Sequence, residues 1–167
     1  MTRTRREFRL RPPRHRVHRR AIAWWTLQAV VSGVFIVGGL TAAYLLFPVA
    51  RPWLAPPLWL MAFVTAVEVL VVPLWRYRVH RWETTDKAVY AATGWFVREW
   101  RVAPISRIQT VDTEAGPLQQ LLGLATVTVT TASAQGPVRI AGLAKPTAVR
   151  VAEQLTEIAQ VTEGDAT

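Results

Sequence analysis

From Ala21 to Ala50 no charged residue occurs, and Leu27 to Phe47 (LQAVVSGVFIVGGLTAAYLLF) is apolar on every face a helix could present. A helix crossing a bilayer needs about 20 such residues, so this stretch predicts a span over about 24–47. A second apolar stretch, Pro52 to Trp75, is interrupted only by Glu68 and predicts another span over about 53–75. The connection between them, Pro48 to Pro57, is too short for a domain. Pro56 and Pro57 are expected in that turn and Pro73 near the opposite end, which makes the pair a helical hairpin. A secretory signal peptide is the rival reading, but its apolar core would be about 7 to 15 residues and no second span would follow.

After Trp75 the pattern changes to short β-rich runs separated by turn residues. Trp75 to Thr84 alternates partly, and Lys87 to Thr93 and Trp95 to Val102 flank Gly94 as a hairpin. Ile105 to Thr113 places Ile105, Arg107, Gln109 and Val111 on one face and Ile108 on the other. Thr126 to Thr131 (TVTVTT) sets Val127 and Val129 inward and threonines outward, and Gln135-Gly136 turns into Val138 to Ile140. Pro117 to Leu122 reads as one helical turn closed by Gly123. A last amphipathic helix, Pro146 to Gln160, aligns Ala148, Val151, Ala152, Leu155, Ile158 and Ala159. Its apolar face must cover something. The expected architecture is a two-helix transmembrane hairpin followed by a mostly β domain, a bent antiparallel sheet or partly open barrel with one end plugged by this helix. The divisions are a basic arm over 1–20, the hairpin over 21–75, the β domain over 76–160 and a frayed tail over 161–167.

Charge changes this picture in one respect. The whole chain carries +9, which by itself would suggest a nucleic-acid binder. Residues 1–20, however, hold nine arginines against one acid, whereas residues 76–167 hold ten bases against nine acids, so the folded part is nearly neutral. The side richer in Arg and Lys near the spans stays in the cytoplasm. Arg14, Arg16, Arg19 and Arg20 precede the first span, Arg76, Arg78 and Arg81 follow the second, and only Arg51 lies between, which predicts a cell-membrane protein with both termini cytoplasmic. Trp24, Trp25, Trp53, Trp59 and Trp75 cluster at the ends of the apolar stretches, where tryptophan marks the interface between lipid and water.

Few residues offer chemistry. The absence of cysteine excludes disulfides and thiolate sites, and no nucleophile, P-loop or dinucleotide pattern occurs. His15 and His18 have helical metal-ligand spacing, but nearby guanidinium groups repel a cation. His80 falls in the first strand without a nucleophile. Asp112 and Glu114 share a strand face near Arg107 and read as solvated. No catalytic, cofactor or metal site is expected. Glu68 is the one ionisable group within a span, where a carboxylate costs about 2.5 to 3.5 kcal/mol on insertion scales. Glu68 lies eight residues before Arg76 and Gln28 eight after Arg20, so the two should share a depth and hydrogen-bond across the hairpin. Gly38 with Ala42, Gly39 with Ala43, and Ala62 with Ala66 offer small faces for close helix approach, within the hairpin or between protomers. Arg3, Arg5, Arg6, Arg9, Arg11, Arg14, Arg16, Arg19 and Arg20, with the juxtamembrane Arg76, Arg78 and Arg81, are the candidates for contact with anionic lipid, each gaining up to about 1 kcal/mol.

Arg107-Ile108-Gln109, then Gly116-Pro117-Leu118-Gln119, then Leu122-Gly123-Leu124-Ala125-Thr126-Val127-Thr128-Val129, after two spans and before a C-terminal helix, resembles the signature of bacterial pleckstrin-homology (PH) proteins of the membrane-flanked-domain, YdbS-like kind. The resemblance covers residues 20 to 160 and implies a PH-like fold, a seven-stranded bent sheet closed by a helix. It implies no catalytic residues. Phosphoinositide-binding PH domains use several basic residues around the first hairpin loop, whereas the equivalent here, Thr84-Thr85-Asp86-Lys87, carries one Lys beside an Asp. The expected function is a membrane-anchored, non-enzymatic module that binds a protein partner or itself beside the cytoplasmic leaflet, without nucleic acid. Anionic-lipid binding or membrane sensing is the alternative, and a transporter-associated role, resting on Glu68, a third.

Overall fold

Helices α1, Arg20–Leu46, and α2, Arg51–Leu70, are joined by one 3-10 turn, Pro48–Ala50, in a computed structural model that describes residues 13–94, 99–132 and 136–164. Both are long and apolar enough to cross a membrane, with mean hydropathies of 2.0 and 1.6 in their most apolar stretches, the second counted from Pro48. The turn is shorter than expected, and Pro56 and Pro57 lie inside α2. Proline fits helical φ, and the bonds it forgoes, to the carbonyls of Pro52 and Trp53, lie near the helix end where polar surroundings can take them. Pro73 acts differently. It cannot donate to Val69 and its ring crowds that carbonyl, so the helix breaks at Val71 and resumes as α3, Val72–Val79, past the expected end at Trp75. His80, expected in a strand, instead caps α3.

The rest is two antiparallel sheets. The first has the order β1-β2-β3-β4, formed by His15–Arg16, Arg81–Thr84, Ala88–Thr93 and Glu99–Pro104. The second has the order β5-β6-β7, formed by Ile108–Glu114, Leu124–Thr131 and Val138–Ala144. A one-turn helix α4, Pro117–Leu121, links β5 to β6, and α5, Lys145–Gly164, closes the domain, running beyond the expected end at Gln160. This is a PH-like arrangement whose sheet is not closed; among the described residues a side chain reaches from β4 to the start of β7, Arg101 Nη1 donating to the Pro137 carbonyl at 3.0 Å.

Strand β1 was not legible in the basic arm. His15 pairs with Trp82 and Arg16 with Arg81, so the strand before the hairpin hydrogen-bonds to the strand after it. Both ends of the hairpin therefore lie on one side, and the domain includes residues on either flank. In β5 the alternation also differs from expectation. Ile105–Arg107 is a 3-10 turn with Ile105 buried, and a bulge between Ile108 and Thr110 adds a residue, so Ile108 and Val111 both pack against the core. In β6, Val127 and Val129 are fully buried as expected, but Thr128 and Thr131 are buried too. The expected face of α5 is observed, with Ala148, Val151 and Leu155 buried and Ile158 and Ala159 packed on the core.

The motif residues around α4 are structural. Gln119 is buried; its Oε1 accepts the Gly116 N–H at 3.1 Å and its Nε2 donates to Thr126 Oγ1 at 2.9 Å, tying the turn to β6. Gly123 reverses the chain at φ 65°.

The core reaches into the hairpin. Val17, Ala21 and Trp25 belong to the same buried apolar cluster as Leu124, Leu143 and Leu155. Trp25, expected at the lipid boundary, is only 3% exposed, whereas Trp53 and Trp59 at the far end are exposed. The tight point is Gly142, at φ 80°, where an added Cβ would sit 2.8 Å from the Ala21 Cβ. Gly142→Ala combines backbone strain with overpacking and should destabilise the domain by about 2 kcal/mol. Gly38, with nothing within 4 Å of an added Cβ, is the control: Gly38→Ala should melt at or slightly above wild type. Melting curves of the detergent-solubilised protein check both, and an unchanged Gly142→Ala would mean that α1 does not pack on β7 as described.

Candidate membrane-interface site

The polar and basic residues singled out by sequence meet several fates. Arg3, Arg5, Arg6, Arg9 and Arg11 lie outside the described residues. A second group serves the fold. The Arg14 N–H donates to Glu83 Oε2 at 3.2 Å while its guanidinium lies 3.8 Å from Oε1. Arg16 sits over the Tyr77 ring at 6.0 Å. Arg20 Nη1 donates to the Leu122 carbonyl at 3.3 Å. Arg19 is exposed. The His15 ring lies 5.3 Å from that of Trp82, tilted by 37°, and His18 Nδ1 accepts the Arg20 N–H at 3.2 Å.

The third group lies where the hairpin meets the domain. Arg76 is over the Trp25 ring at 5.0 Å, and the His80 ring is 5.0 Å from the same indole, tilted by 54°. His80 Nδ1 donates to the Arg76 carbonyl at 2.8 Å, which fixes the neutral ring as the Nδ1–H tautomer. Burial holds the Arg76 guanidinium below its ordinary value. His80 is also held below 6.5, by burial first and by the Arg76 charge, against the opposing effect of its backbone hydrogen bond.

Gln28 and Glu68 do line one cavity, of about 280 Å³, together with Ser32 and Arg76. Among the described residues no hydrogen bond joins them. Equal depth along two helices does not set their rotation. The helices pack closely at Gly33, where an added Cβ would collide with the Thr65 methyl, while nearer the domain Trp25 and Pro73 line the space between the helices. Gly38 and Gly39 have nothing within 4 Å of an added Cβ. Gly38, Ala42, Ala62 and Ala66 instead line an open apolar groove of about 850 Å³ along the hairpin.

Arg78 and Arg81 come together elsewhere. They line a cavity of about 380 Å³ between α3 and the outer face of the first sheet, with Trp75, Val79, Ala92 and Trp100. The charge pattern named the two arginines. Ala92 and Trp100 carried no signal, because only the register Arg81–Ala92–Trp100 across β2, β3 and β4 places them there.

The family model described as Bacterial PH domain matches residues 27–159. The UPF0699 transmembrane protein YdbS of Bacillus subtilis (strain 168) is 29% identical over 158 residues, covering 92% of this chain and 97% of that protein. No solved structure matches.

The junction should be acid-sensitive. Because the folded His80 pKa lies below 6.5, the unfolded chain takes up the proton at higher pH. The stability His80 contributes is complete above that value and is lost as pH falls through the lowered one. Melting in detergent at about pH 7.5 and about pH 5 should show a smaller acid-induced drop in Tm for His80→Gln than for wild type. Equal drops would assign the acid sensitivity to other groups.

Proposed function

The chain belongs to the bacterial PH domain family, and from that premise we propose that it is a non-enzymatic, membrane-anchored module that binds a protein strand beside the cytoplasmic leaflet of the cell membrane. The two long apolar helices supply the anchor. The pairing of β1 with β2 keeps both flanks of the hairpin on one side. With Arg14, Arg16, Arg19 and Arg20 before the hairpin, Arg76, Arg78 and Arg81 after it and Arg51 alone at the far turn, the positive-inside rule makes that side the cytoplasm.

One observation carries the interaction reading: among the described residues β5, seven residues long, pairs only with β6 and leaves its other edge open. An unpaired edge offers backbone N–H and C=O groups that a strand from another chain can complete. The bulge at Ile108/Thr110 blunts the start of the edge, leaving Thr110 to Glu114. Asp112 and Glu114 are exposed there, and opposite charges across a strand pair are favourable. The fitting partner is thus an extended segment with basic side chains, from another protein or a second copy of this chain.

A photo-reactive residue at Thr113 tests this in cells, with one at Gln154 on the exposed face of α5 as control. The edge position should give a discrete protein adduct and the control should not. Asp112→Lys with Glu114→Lys should cut adduct yield about fivefold. Equal yields from both positions, or indifference to charge reversal, would reject the edge as the binding surface.

A further inference from the structure

We propose that the cavity between α3 and the outer face of the first sheet holds the phosphate of an anionic phospholipid drawn from the leaflet on the domain's side. The floor follows from strand register. Arg81, Ala92 and Trp100 are directly opposed across β2, β3 and β4, and their row faces away from the core that takes Trp82, Val89, Ala91 and Ala103. Ala92 in the centre is the small member, so the row is a trough with a guanidinium on one rim and an indole on the other. The wall is α3: Trp75 and Arg78, three residues apart, share a helix face, and Val79 fills the corner.

The charge of the trough is unbalanced. Arg78 and Arg81 both line it, and among the described residues no carboxylate does. The acids nearest in register are engaged elsewhere, Glu83 with Arg14 and Glu99 with Arg101 at 3.2 Å. Arg16, opposite Arg81 in the sheet, adds a third positive charge close by. Two arginines lining one space, with no acid beside them among the described residues, carry like charge there, and a phosphate bound between them would offset it through charge-assisted hydrogen bonds. The volume, about 380 Å³, falls within the roughly 300 to 1,000 Å³ usual for small-ligand sites.

Position selects a lipid over a free anion. Trp75, which is 42% exposed, follows the second apolar helix where amphipathic indoles sit among headgroups. Arg78 is about 4.5 Å further along the same helix at 1.5 Å per residue. A phosphate in the trough therefore leaves its glycerol and acyl chains beside Trp75 and the hairpin, where they remain in the bilayer. This site does not involve β5, and its failure would leave the strand-edge reading untouched.

Native mass spectrometry of the full-length protein in non-ionic detergent tests the site, with added phosphatidylglycerol, phosphatidylcholine of the same chains, or glycerol 3-phosphate. Wild type should retain one phosphatidylglycerol in preference to phosphatidylcholine. Arg78→Gln with Arg81→Gln should weaken retention at least about tenfold. Ala92→Leu keeps both charges but fills the floor and should produce the same loss. Arg150→Gln, on α5, removes a charge away from the cavity and should change nothing. Retention unaltered in Ala92→Leu, or in a correctly melting double-arginine variant, overturns the proposal by placing the lipid elsewhere. Glycerol 3-phosphate binding as tightly as the lipid overturns it in favour of a soluble anion.

Discussion

The first two turns of α1 occupy two environments, and the architecture depends on their fit. Ala21 and Trp25, one turn apart on a single helix face, are buried in the cluster that also contains Leu124, Leu143 and Leu155. The same helix continues as an apolar span through Leu46. A buried tryptophan takes roughly 200 Å² from water, worth about 5 kcal/mol. Here the alternative to burial includes a lipid interface in which tryptophan is already comfortable, so the net gain is smaller and shape matters more than hydrophobicity. Gly142 supplies that shape. It admits the Ala21 methyl against β7, and its carbonyl accepts the His18 N–H at 2.9 Å.

Anchoring the domain on both flanks of the hairpin follows from this fit. The chain leaves the sheet after β1, crosses the hairpin and returns as β2, so that Arg14 reaches Glu83 across 69 positions. Such separation is inexpensive, because closure entropy grows only logarithmically and each doubling of a loop costs about 0.6 kcal/mol; the hairpin is moreover a stiff insert. In return, rotation of α1 is fixed by the domain. Gln28 and Glu68 illustrate the result. Their depths agree, but helix rotation is set by Trp25 in the core at one end and by the Gly33–Thr65 contact further along, leaving a shared cavity and not a bonded pair.

The hairpin, the C-terminal helix and the centre of β6 were legible in sequence because each repeats one pattern long enough to be unambiguous. What escaped depended on contacts distant in sequence. Strand β1 is two residues in a run of arginines, and nothing local distinguishes them; their pairing with Trp82 and Arg81 does. The bulge at Ile108 defeats a period-two reading by one residue. Pro56 and Pro57 look like turn residues until the compact Pro48–Ala50 turn shows that none is needed there. The two arginines of the interface cavity could be named from charge alone, whereas its floor could not, since Ala92 is informative only through what lies beside it in adjacent strands.

A chain this basic invites a single explanation for all its arginines, and the structure separates them. Orientation in a membrane needs only a few positive charges near the span ends. Arg14, Arg16 and Arg20 have been recruited to a carboxylate, a ring face and a carbonyl, so their charge also serves to hold the pre-hairpin segment to the domain. Arg76 is desolvated against Trp25 and belongs to the junction. Arg78 and Arg81 are different in kind, because among the described residues their cavity provides aromatic walls and space but no acid. Positive charge that is already balanced reports on folding. The charge left unbalanced in a concave site at the end of the hairpin is where recognition of something outside the chain has room to act.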